Sequence, residues 1–383
     1  MWRSIASNAL TILIVILVGA GITVAAAKRS YEGPGPLTDA ACVAVPRGAT
    51  MASVSETLDG MGAVRSALLF RLGADYSGKA QDLKAGNFLI GPEASMREVV
   101  DAITRGGQST CGADINLRVG VASLDIQVRE MDPATGQFDL VAQYDPADDT
   151  PPEVQVILDQ GFARTRVTVA EGVTVWQILD SLQKASFLSG AAGDKPDEGT
   201  LAPGSYDVQI GSARAALVTR MREAQEDIIA AAWAGRDRDV PVGDVAEALT
   251  LASIIEKETA VPEERRLVAS VFVNRLNEGM RLQTDPTVIY GITGGEGVLG
   301  RGLYRSELAR PTPWNTYTHA GLPPTPIANP GLESIEAALH PAETGYLYFV
   351  ADGTGGHVFA ETLAEHNQNV RRWRQIEAER AGQ

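Results

Sequence analysis

The chain has few of the residues from which metal and redox sites are built. Its 383 residues include four histidines and two cysteines, and neither type shows the spacing of a zinc site. Basic residues are also in the minority, since 33 Lys and Arg face 48 Asp and Glu for a formal net charge of -15. This balance disfavours binding to nucleic acid, which requires clustered positive charge. The sequence therefore predicts no metal and no nucleic-acid partner.

Motifs of the common cofactors and nucleophiles are missing as well. The glycine-rich piece Gly294–Gly297 lacks the strand and the Lys-Ser/Thr of a phosphate loop. No Gly-x-Ser-x-Gly elbow occurs, and Ser253 precedes Lys257 by four positions instead of the three that a Ser-x-x-Lys motif requires. We therefore predict that the protein uses no cofactor.

One long hydrophobic run is present at the N-terminus. Residues 5–27 are uncharged and mostly apolar, which is long enough to cross about 30 Å of hydrocarbon. The run is either a membrane-spanning helix or a signal peptide with a cleavage site at Ala25–Ala27. Its length exceeds the usual signal core and favours a retained anchor. The flanking charges nearly balance and leave the orientation open.

An internal repeat follows a Gly/Pro-rich tether at Tyr31 to Leu37. Two segments share one pattern 124 positions apart, Val45-x-x-Gly48-x-Thr50 and Val169-x-x-Gly172-x-Thr174. The second half of the pattern recurs too, as Leu83–Phe88 and Leu201–Tyr206, with helices expected from about Ser95 and Ser212. Each copy predicts a strand, a glycine turn and a short helix capped by threonine. The sequence thus indicates a duplicated α/β unit.

The segment between the two copies has a different pattern. Residues 115–143 alternate apolar and polar side chains around a turn at Asp132–Gly136, which predicts a β-hairpin. We interpret residues 109–163 as an insertion, whose role the sequence does not disclose.

The segment Leu249–Ala260 predicts a helix that carries a candidate general acid. Projected at about 100° per residue, Glu256 shares a stripe with apolar side chains, whereas Glu258 falls on the other side and can stay solvated. A carboxyl group held against apolar side chains has a raised pKa and can donate a proton near neutral pH. The alternative is a glutamate that only pairs with one of the nearby arginines, which are Arg265, Arg266 and Arg275.

The rest of the chain offers groups suited to sugars. A second helix is expected from Pro262 to about Glu278, and from Met280 the chain is expected to be rich in loops. Those loops are dense in Asn, Thr, Tyr, Trp and Pro, which supply amide hydrogen bonds and aromatic faces to hydroxyl-rich ligands. Ordinary ordered surface loops would show the same composition. A strand at Tyr346–Val350 and a polar helix at Leu363–Glu379 complete the chain.

Several of these segments together resemble one protein family. They are Ala252-Ser-Ile-Ile-Glu-Lys-Glu-Thr259, Val271-Phe-Val-Asn-Arg-Leu276, Arg281-Leu-Gln-Thr-Asp-Pro-Thr-Val-Ile-Tyr-Gly291, Asn315-Thr-Tyr317, Gly321-Leu-Pro-Pro324 and Tyr346-Leu-Tyr-Phe-Val-Ala351. They are similar to the endolytic murein transglycosylases, or YceG-like proteins, from about Leu249 to Asn367. Upstream the likeness is looser, and Glu198–Pro203 looks like a degraded form of the family's Glu-Gly-x-x-x-Pro-Asp segment.

The resemblance implies a fold class and a domain plan. We expect an α+β protein on a single N-terminal transmembrane helix, with a LysM-like module that holds the duplicated unit and its inserted hairpin, and a helix-rich catalytic domain. The expected boundaries are 1–30 for the cytoplasmic stub and anchor, 31–40 for the tether, 41–235 for the LysM-like region with its insertion at about 109–163, 240–375 for the catalytic domain and 376–383 for a tail.

The resemblance also implies a function. We expect a lytic transglycosylase, a carbon–oxygen lyase, that is anchored in the inner membrane with its body in the periplasm. It would cleave the β-1,4 bond between N-acetylmuramic acid and N-acetylglucosamine in nascent peptidoglycan, leave 1,6-anhydromuramic ends and so terminate strand elongation. Its partners would be glycan strands and peptidoglycan synthases.

Site residues follow from the resemblance and from the helical projection. The family's catalytic glutamate maps to Glu256, which is also the residue on the apolar stripe. The nominated substrate-binding residues are Gln283, Asp285, Tyr290, Asn315 and Tyr317. Two rival functions stay open: a water-using muramidase with Asp285 as its second carboxylate, and a non-catalytic scaffold that binds the cell wall.

The two cysteines, Cys42 and Cys111, can by themselves be free thiols or a disulfide. Both lie at the edges of the first repeat copy, and the periplasm implied by the resemblance is oxidising. We therefore predict a disulfide between them.

Overall fold

The computed structural model describes residues 2–106 and 109–381, which fold into two compact units. The N-terminal unit comprises residues 2–115, 128–143 and 150–164. The C-terminal unit comprises residues 116–127, 144–149 and 165–381. The predicted α+β class is confirmed, since helices and short strands alternate through both units.

The N-terminal unit begins with helix α1 and holds the first repeat copy. Its elements are α1 (Trp2–Glu32), β1 (Ala41–Val45), α2 (Met51–Gly60), α3 (Ala67–Tyr76), β2 (Gly86–Ile90) and α4 (Met96–Thr104). Residues 10–32 of α1 are long and apolar enough to cross a membrane, which is consistent with a single-pass anchor. Strands β1 and β2 pair in antiparallel fashion, with Val45 opposite Gly86.

The segment predicted as a tether is fixed to this unit. Helix α1 runs on to Glu32, and both Tyr31 and Leu37 pack against the hydrophobic core of the first copy. The Gly35 amide donates a hydrogen bond to the Glu93 carbonyl at 2.8 Å. A disulfide joins Cys42 to Cys111, whose Cα atoms are 5.7 Å apart.

A five-stranded sheet contains the predicted hairpin. Its strands are β3 (Ala113–Val119), β4 (Leu124–Met131), β5 (Phe138–Tyr144), β6 (Arg164–Val169) and β7 (Gly204–Val208), in the order β5-β4-β3-β6-β7, and helix α5 (Pro152–Gln160) precedes β6. The amide of Asp132 donates to the carbonyl of Gln137 at 2.9 Å and closes the turn between β4 and β5.

The second repeat copy has the backbone frame of the first. It consists of β6, α6 (Val175–Lys184), β7 and α7 (Arg214–Gly235), with Val169 opposite Gly204 in the register of Val45 and Gly86. The turn glycines Gly48 and Gly172 have φ of 78° and 75°, in the left-handed region that favours glycine. The hydroxyl groups of Thr50 and Thr174 cap the following helices in matching capping boxes.

The remaining elements belong to the C-terminal unit. They are α8 (Val245–Glu258), a 3-10 turn (Pro262–Glu264), α9 (Arg265–Asn277), α10 (Asp285–Thr293), α11 (Arg305–Leu308), α12 (Leu332–Leu339), β8 (Tyr348–Ala351), β9 (His357–Ala360) and α13 (Leu363–Ala381). Helix α8 packs against α7, α9, α10 and α12. Residues 248–255 of α8 are all buried. The prediction of loop after Met280 was wrong over α10, where Pro286 occupies the first turn and needs no hydrogen-bonded amide.

Candidate active site

The last turn of α8 directs three charged side chains to three different surroundings. Glu256, Lys257 and Glu258 are consecutive, so they project about 100° apart around the helix. The projection from sequence assumed one apolar face and one solvated face. That assumption was wrong, because other elements cover α8 on every side from Ala248 to Ile255. The environment of each of the three side chains therefore depends on the residues that contact it.

Glu256 lies beside the N-terminus of α12. Its Oε2 atom accepts the amide hydrogen of Gly331 at 3.1 Å, and Gly331 is the N-cap of α12. The Glu171 carboxyl group fills the space that a side chain at position 331 would need. Of the residues that the structure describes, only Gly331 donates a hydrogen bond to the Glu256 carboxylate.

Glu171, which sequence reasoning missed, belongs to the β6–α6 turn of the second repeat copy and lies in a group of charges with Glu256, Arg265 and Glu333. Burial raises the pKa of the Glu171 carboxyl, and the negative charge of Glu256 raises it further, while Arg265 opposes both. Arg265 lies 3.7 Å from Glu171 Oε2 and forms an ion pair with Glu333. These contacts hold the β6–α6 turn against α9 and α12.

Lys257 points toward a small cavity. Its Nζ atom donates to the Gly172 carbonyl at 3.1 Å, and burial lowers the pKa of the Lys257 ammonium group. The adjoining cavity of about 220 Å³ is also lined by Tyr290, whose hydroxyl donates to Glu198 Oε2 at 3.2 Å. Burial raises the pKa of Glu198, although the Val175 amide donates to its other oxygen at 2.8 Å. Tyr290, a nominated substrate residue, therefore lies with Glu198 and Lys257.

Glu258 is the carboxyl group that the fold withdraws from water. Burial is the main cause that raises its pKa, and the charge of Asp285 adds to it, whereas the Thr284 hydroxyl, His357 and Arg275 oppose the rise. The Thr284 hydroxyl donates a hydrogen bond to Glu258 Oε1. The expectation that Glu258 stays solvated was therefore wrong. Glu258 has the property that sequence reasoning assigned to Glu256.

A cavity of about 410 Å³ opens beside Glu258 and gathers three of the five nominated residues. Gln283, Asp285 and Tyr317 line it. The other lining residues are Phe272, Arg275, Leu282, Thr284, Tyr348, Phe349, Leu363 and His366. Carboxyl groups, an amide and aromatic rings converge here, which is the combination suited to an uncharged, hydroxyl-rich ligand.

The polar groups of this cavity are held in place by the surrounding backbone and by one another. The Tyr317 hydroxyl donates to Asp285 Oδ1 at 2.7 Å, and burial raises the Tyr317 pKa above its ordinary value. Gln283 has φ of 52°, a left-handed conformation that is uncommon for a residue with a Cβ. Such strain occurs frequently at ligand sites, where the fold over-determines the backbone.

Asn315 lies outside the cavity and is fully buried. Its Nδ2 atom donates to the carbonyl of Arg310 at 2.8 Å, and its Oδ1 atom accepts the Tyr317 amide at 2.9 Å. Asn315 thus fixes the loop that carries Tyr317. Sequence reasoning also missed His366 as a cavity residue, because it belongs to the terminal helix and no local motif marks it.

Comparisons with known proteins agree with the resemblance. The sequence model of the YceG-like family matches residues 43–130 and 143–372. A Bacillus subtilis protein named endolytic murein transglycosylase is 50% identical over 124 residues, which are 32% of this chain and 33% of that protein. A Streptococcus pneumoniae protein of the same name is 28% identical over 351 residues, which are 86% of this chain and 57% of that protein.

A solved structure is similar as well. The crystal structure of a YceG-like protein from Listeria monocytogenes aligns with 86% of this chain and 98% of its own chain, at 25% identity and a TM-score of 0.46.

This chain covers 33% and 57% of the lengths of the two named transglycosylases. Since the family model spans most of the sequence, the chain belongs to the YceG-like family.

Proposed function

We propose that this protein is an endolytic lytic transglycosylase that acts on peptidoglycan, with Glu258 as its acid and base. The observation that carries the proposal is the desolvated Glu258 carboxyl group in the wall of a cavity lined by Gln283, Asp285 and Tyr317. The names of the relatives from Bacillus subtilis and Streptococcus pneumoniae support the same activity.

The reaction needs one group that can give and then take a proton. Protonated Glu258 donates its proton to the glycosidic oxygen between N-acetylmuramic acid and N-acetylglucosamine, and the bond from that oxygen to the muramic anomeric carbon breaks. Glu258, now a carboxylate, removes the proton from the muramic 6-hydroxyl, whose oxygen closes on the anomeric carbon. The nucleophile is already tethered to the substrate, so proximity favours the closure and no water is consumed. The product is a 1,6-anhydromuramic end, which would end elongation of the strand.

The neighbours of Glu258 would stabilise the positive charge that develops on the sugar ring. The Asp285 carboxyl group is oriented by the Tyr317 hydroxyl at 2.7 Å and supplies negative charge to the same cavity. A charge that is already oriented toward the position where positive charge develops stabilises the transition state without any reorganisation during the reaction. The ring of Tyr317 lines the cavity and offers an apolar surface for sugar packing.

The matched pair Glu258→Gln and Glu256→Gln tests the catalytic role. Glu258→Gln keeps the shape and removes the transferable proton, so turnover of glycan strands should fall by about 10²–10⁴-fold. Glu256→Gln should cost much less, because its carboxylate is bound to the Gly331 amide in a separate group of charges. Circular dichroism checks that both variants fold. The reverse ranking would return the role to Glu256, the residue nominated from sequence, and equal effects would exclude both assignments.

The pH dependence of turnover gives a second test of Glu258. A general acid must be protonated before the reaction, and burial raises the pKa of Glu258 above the usual glutamate value. Activity should therefore persist above the ordinary pKa of about 4.3 and fall as the pH rises through the raised value. A turnover profile with its alkaline limb at the ordinary glutamate pKa would contradict this role.

A water-using muramidase is the second candidate, and the observation that favours it is Asp285 in the same cavity as Glu258. The mass of the products separates the possibilities. Anhydro ends support the transglycosylase, reducing ends support the muramidase, and intact strands support a non-catalytic scaffold.

We further propose that the body lies in the periplasm on an inner-membrane anchor, that the repeat region is LysM-like and contacts glycan, and that synthases are partners. The apolar helix α1 supports the anchor. A reporter that works only outside the cytoplasm, fused after Gln383, should be active. Activity of a reporter that works only inside the cytoplasm would overturn the topology.

A further inference from the structure

Helix α3 of the N-terminal unit exposes a stripe of large apolar side chains. Leu68, Leu72 and Tyr76 are 60%, 56% and 96% exposed. Their spacing of four residues places them on one face of the helix. The opposite face is the core face, where Phe70 and Ala74 are fully buried. The stripe therefore lies outside the hydrophobic core of this unit.

The second repeat copy has no such surface. Residues 185–203, which the structure describes in full, contain no helix between α6 and β7. The large apolar residues in that segment, Phe187, Leu188 and Leu201, are 3%, 5% and 0% exposed. Exposure of an apolar stripe is thus specific to the copy that is joined to α1.

The end of α1 is fixed directly against α3. The Tyr31 ring lies on Gly73 of α3, where a side chain would collide with it. One residue later, Glu32 forms an ion pair with Arg97 of α4. The Arg65 guanidinium group donates to the Pro34 carbonyl at 2.9 Å, so the chain stays bound as it leaves α1. No free linker separates α3 from the membrane-crossing segment.

The depth of α3 follows from helix geometry. The uncharged run of α1 ends at Ala27 and is followed by the exposed cations Lys28 and Arg29. Tyr31 is four residues beyond Ala27, hence about 6 Å further along the helix axis. The headgroup layer on each side of a bilayer is about 5–8 Å thick. The point where Tyr31 touches α3 is therefore at headgroup depth.

We propose that the stripe formed by Leu68, Leu72 and Tyr76 docks on the surface of the membrane that α1 crosses. Leucines beside a tyrosine are the side chains that an amphipathic helix places at the boundary of headgroups and acyl chains. The exposed cations at the end of α1 would contact anionic headgroups at the same level. Docking would fix the N-terminal unit against the bilayer instead of leaving it free to pivot on α1.

The experiment uses the full chain in vesicles of phosphatidylethanolamine and phosphatidylglycerol. The photoreactive residue p-benzoylphenylalanine replaces Leu72 in one variant and Glu56, an exposed residue of α2 outside the stripe, in the control. After illumination, mass spectrometry identifies what each position has captured. We expect lipid adducts at position 72 to exceed those at position 56 by about tenfold or more, given the apolar area that the stripe would bury.

A second variant tests whether the stripe itself makes the contact. Leu68→Ser combined with Tyr76→Ser, both at exposed positions, should sharply reduce the lipid adducts at position 72 while circular dichroism stays unchanged. Equal lipid capture at positions 72 and 56, or no capture at 72, would overturn the proposal. Cross-links from position 72 into a second copy of the chain would also overturn it, because another protein would then cover the stripe.

Discussion

The two repeat copies have the same backbone frame and different surroundings. Both turn through a glycine with positive φ, and both begin the next helix at a threonine cap. The turn itself differs, since Arg47 stands before Gly48 where Glu171 stands before Gly172. Both side chains are exposed, but Glu171 lies 3.7 Å from Arg265 and its pKa responds to the charge of Glu256.

The copies also differ in how they are stabilised. The first copy is closed by a disulfide and exposes an apolar stripe on α3. The second copy accepts hydrogen bonds from Lys257 of α8 and from Asn329, which lies shortly before α12. The shared residues determine the local backbone, and the residues that differ determine what each copy contacts.

The largest expected effect is loss of the disulfide. Replacing Cys42 and Cys111 by serine opens a loop with a sequence separation of 69 residues. The free energy of unfolding of the N-terminal unit should fall by about 2–4 kcal/mol, because the unfolded chain regains loop entropy. Hydrogen exchange should report this loss in β1 and β2 while β6 and β7 keep their protection.

Two results would contradict that prediction. Equal loss of protection in β6 and β7 would mean that the copies are not stabilised separately. Labelling the unreduced native protein with a thiol reagent should add no mass, and two labels without reduction would exclude the bond.

The threonine caps should differ in cost although they share a motif. Thr50→Ala removes a cap that binds only within its own turn, and should cost about 1 kcal/mol. The Thr174 hydroxyl also donates to the Gly295 carbonyl at 2.6 Å in a buried position, so Thr174→Ala should cost roughly 2 kcal/mol. Chemical denaturation measures both. Serine at either position should restore most of the loss, and equal costs would contradict the argument.

The smallest effect concerns the turn residues and depends on pH. Burial and the charge of Glu256 raise the pKa of Glu171. At a pH between the ordinary glutamate pKa and this raised value, the folded state therefore holds a proton that the unfolded state has lost. That contribution to stability is complete below the ordinary glutamate pKa and is lost as the pH rises through the raised value. Glu171→Gln should therefore melt at a higher temperature than the parent at neutral pH and converge with it in acid.

The matched control for this prediction is Arg47→Gln in the first copy. Arginine stays charged across the range from acid to neutral pH, so any difference in melting temperature from the parent should be constant. Thermal unfolding at several pH values measures both variants. A Glu171→Gln difference that does not change with pH would show that the Glu171 proton is not coupled to folding.

The local frame could be predicted from the sequence because its signals are short-range. Three kinds of signal act within a few residues: a glycine three positions after a strand valine, a threonine cap and an alternation of apolar and polar residues. The repeat, the hairpin and α1 all appear where they were expected. The α10 helix was missed because its first turn contains Pro286, and proline and threonine dominate the loop pattern around it.

The candidate site was likewise predicted in part from the sequence. Gln283, Asp285 and Tyr317 were chosen from the sequence, and the fold brings them to one cavity. The sequence alone also determined the glutamates at the end of α8, the uncharged run of α1 and the two cysteines. Only the tertiary structure decided which glutamate loses its water, because that depends on α9, α10 and the terminal strands closing over Glu258 from distant parts of the chain. A helical projection contains no information about neighbours that are remote in sequence, and those neighbours determine whether the carboxyl group is desolvated.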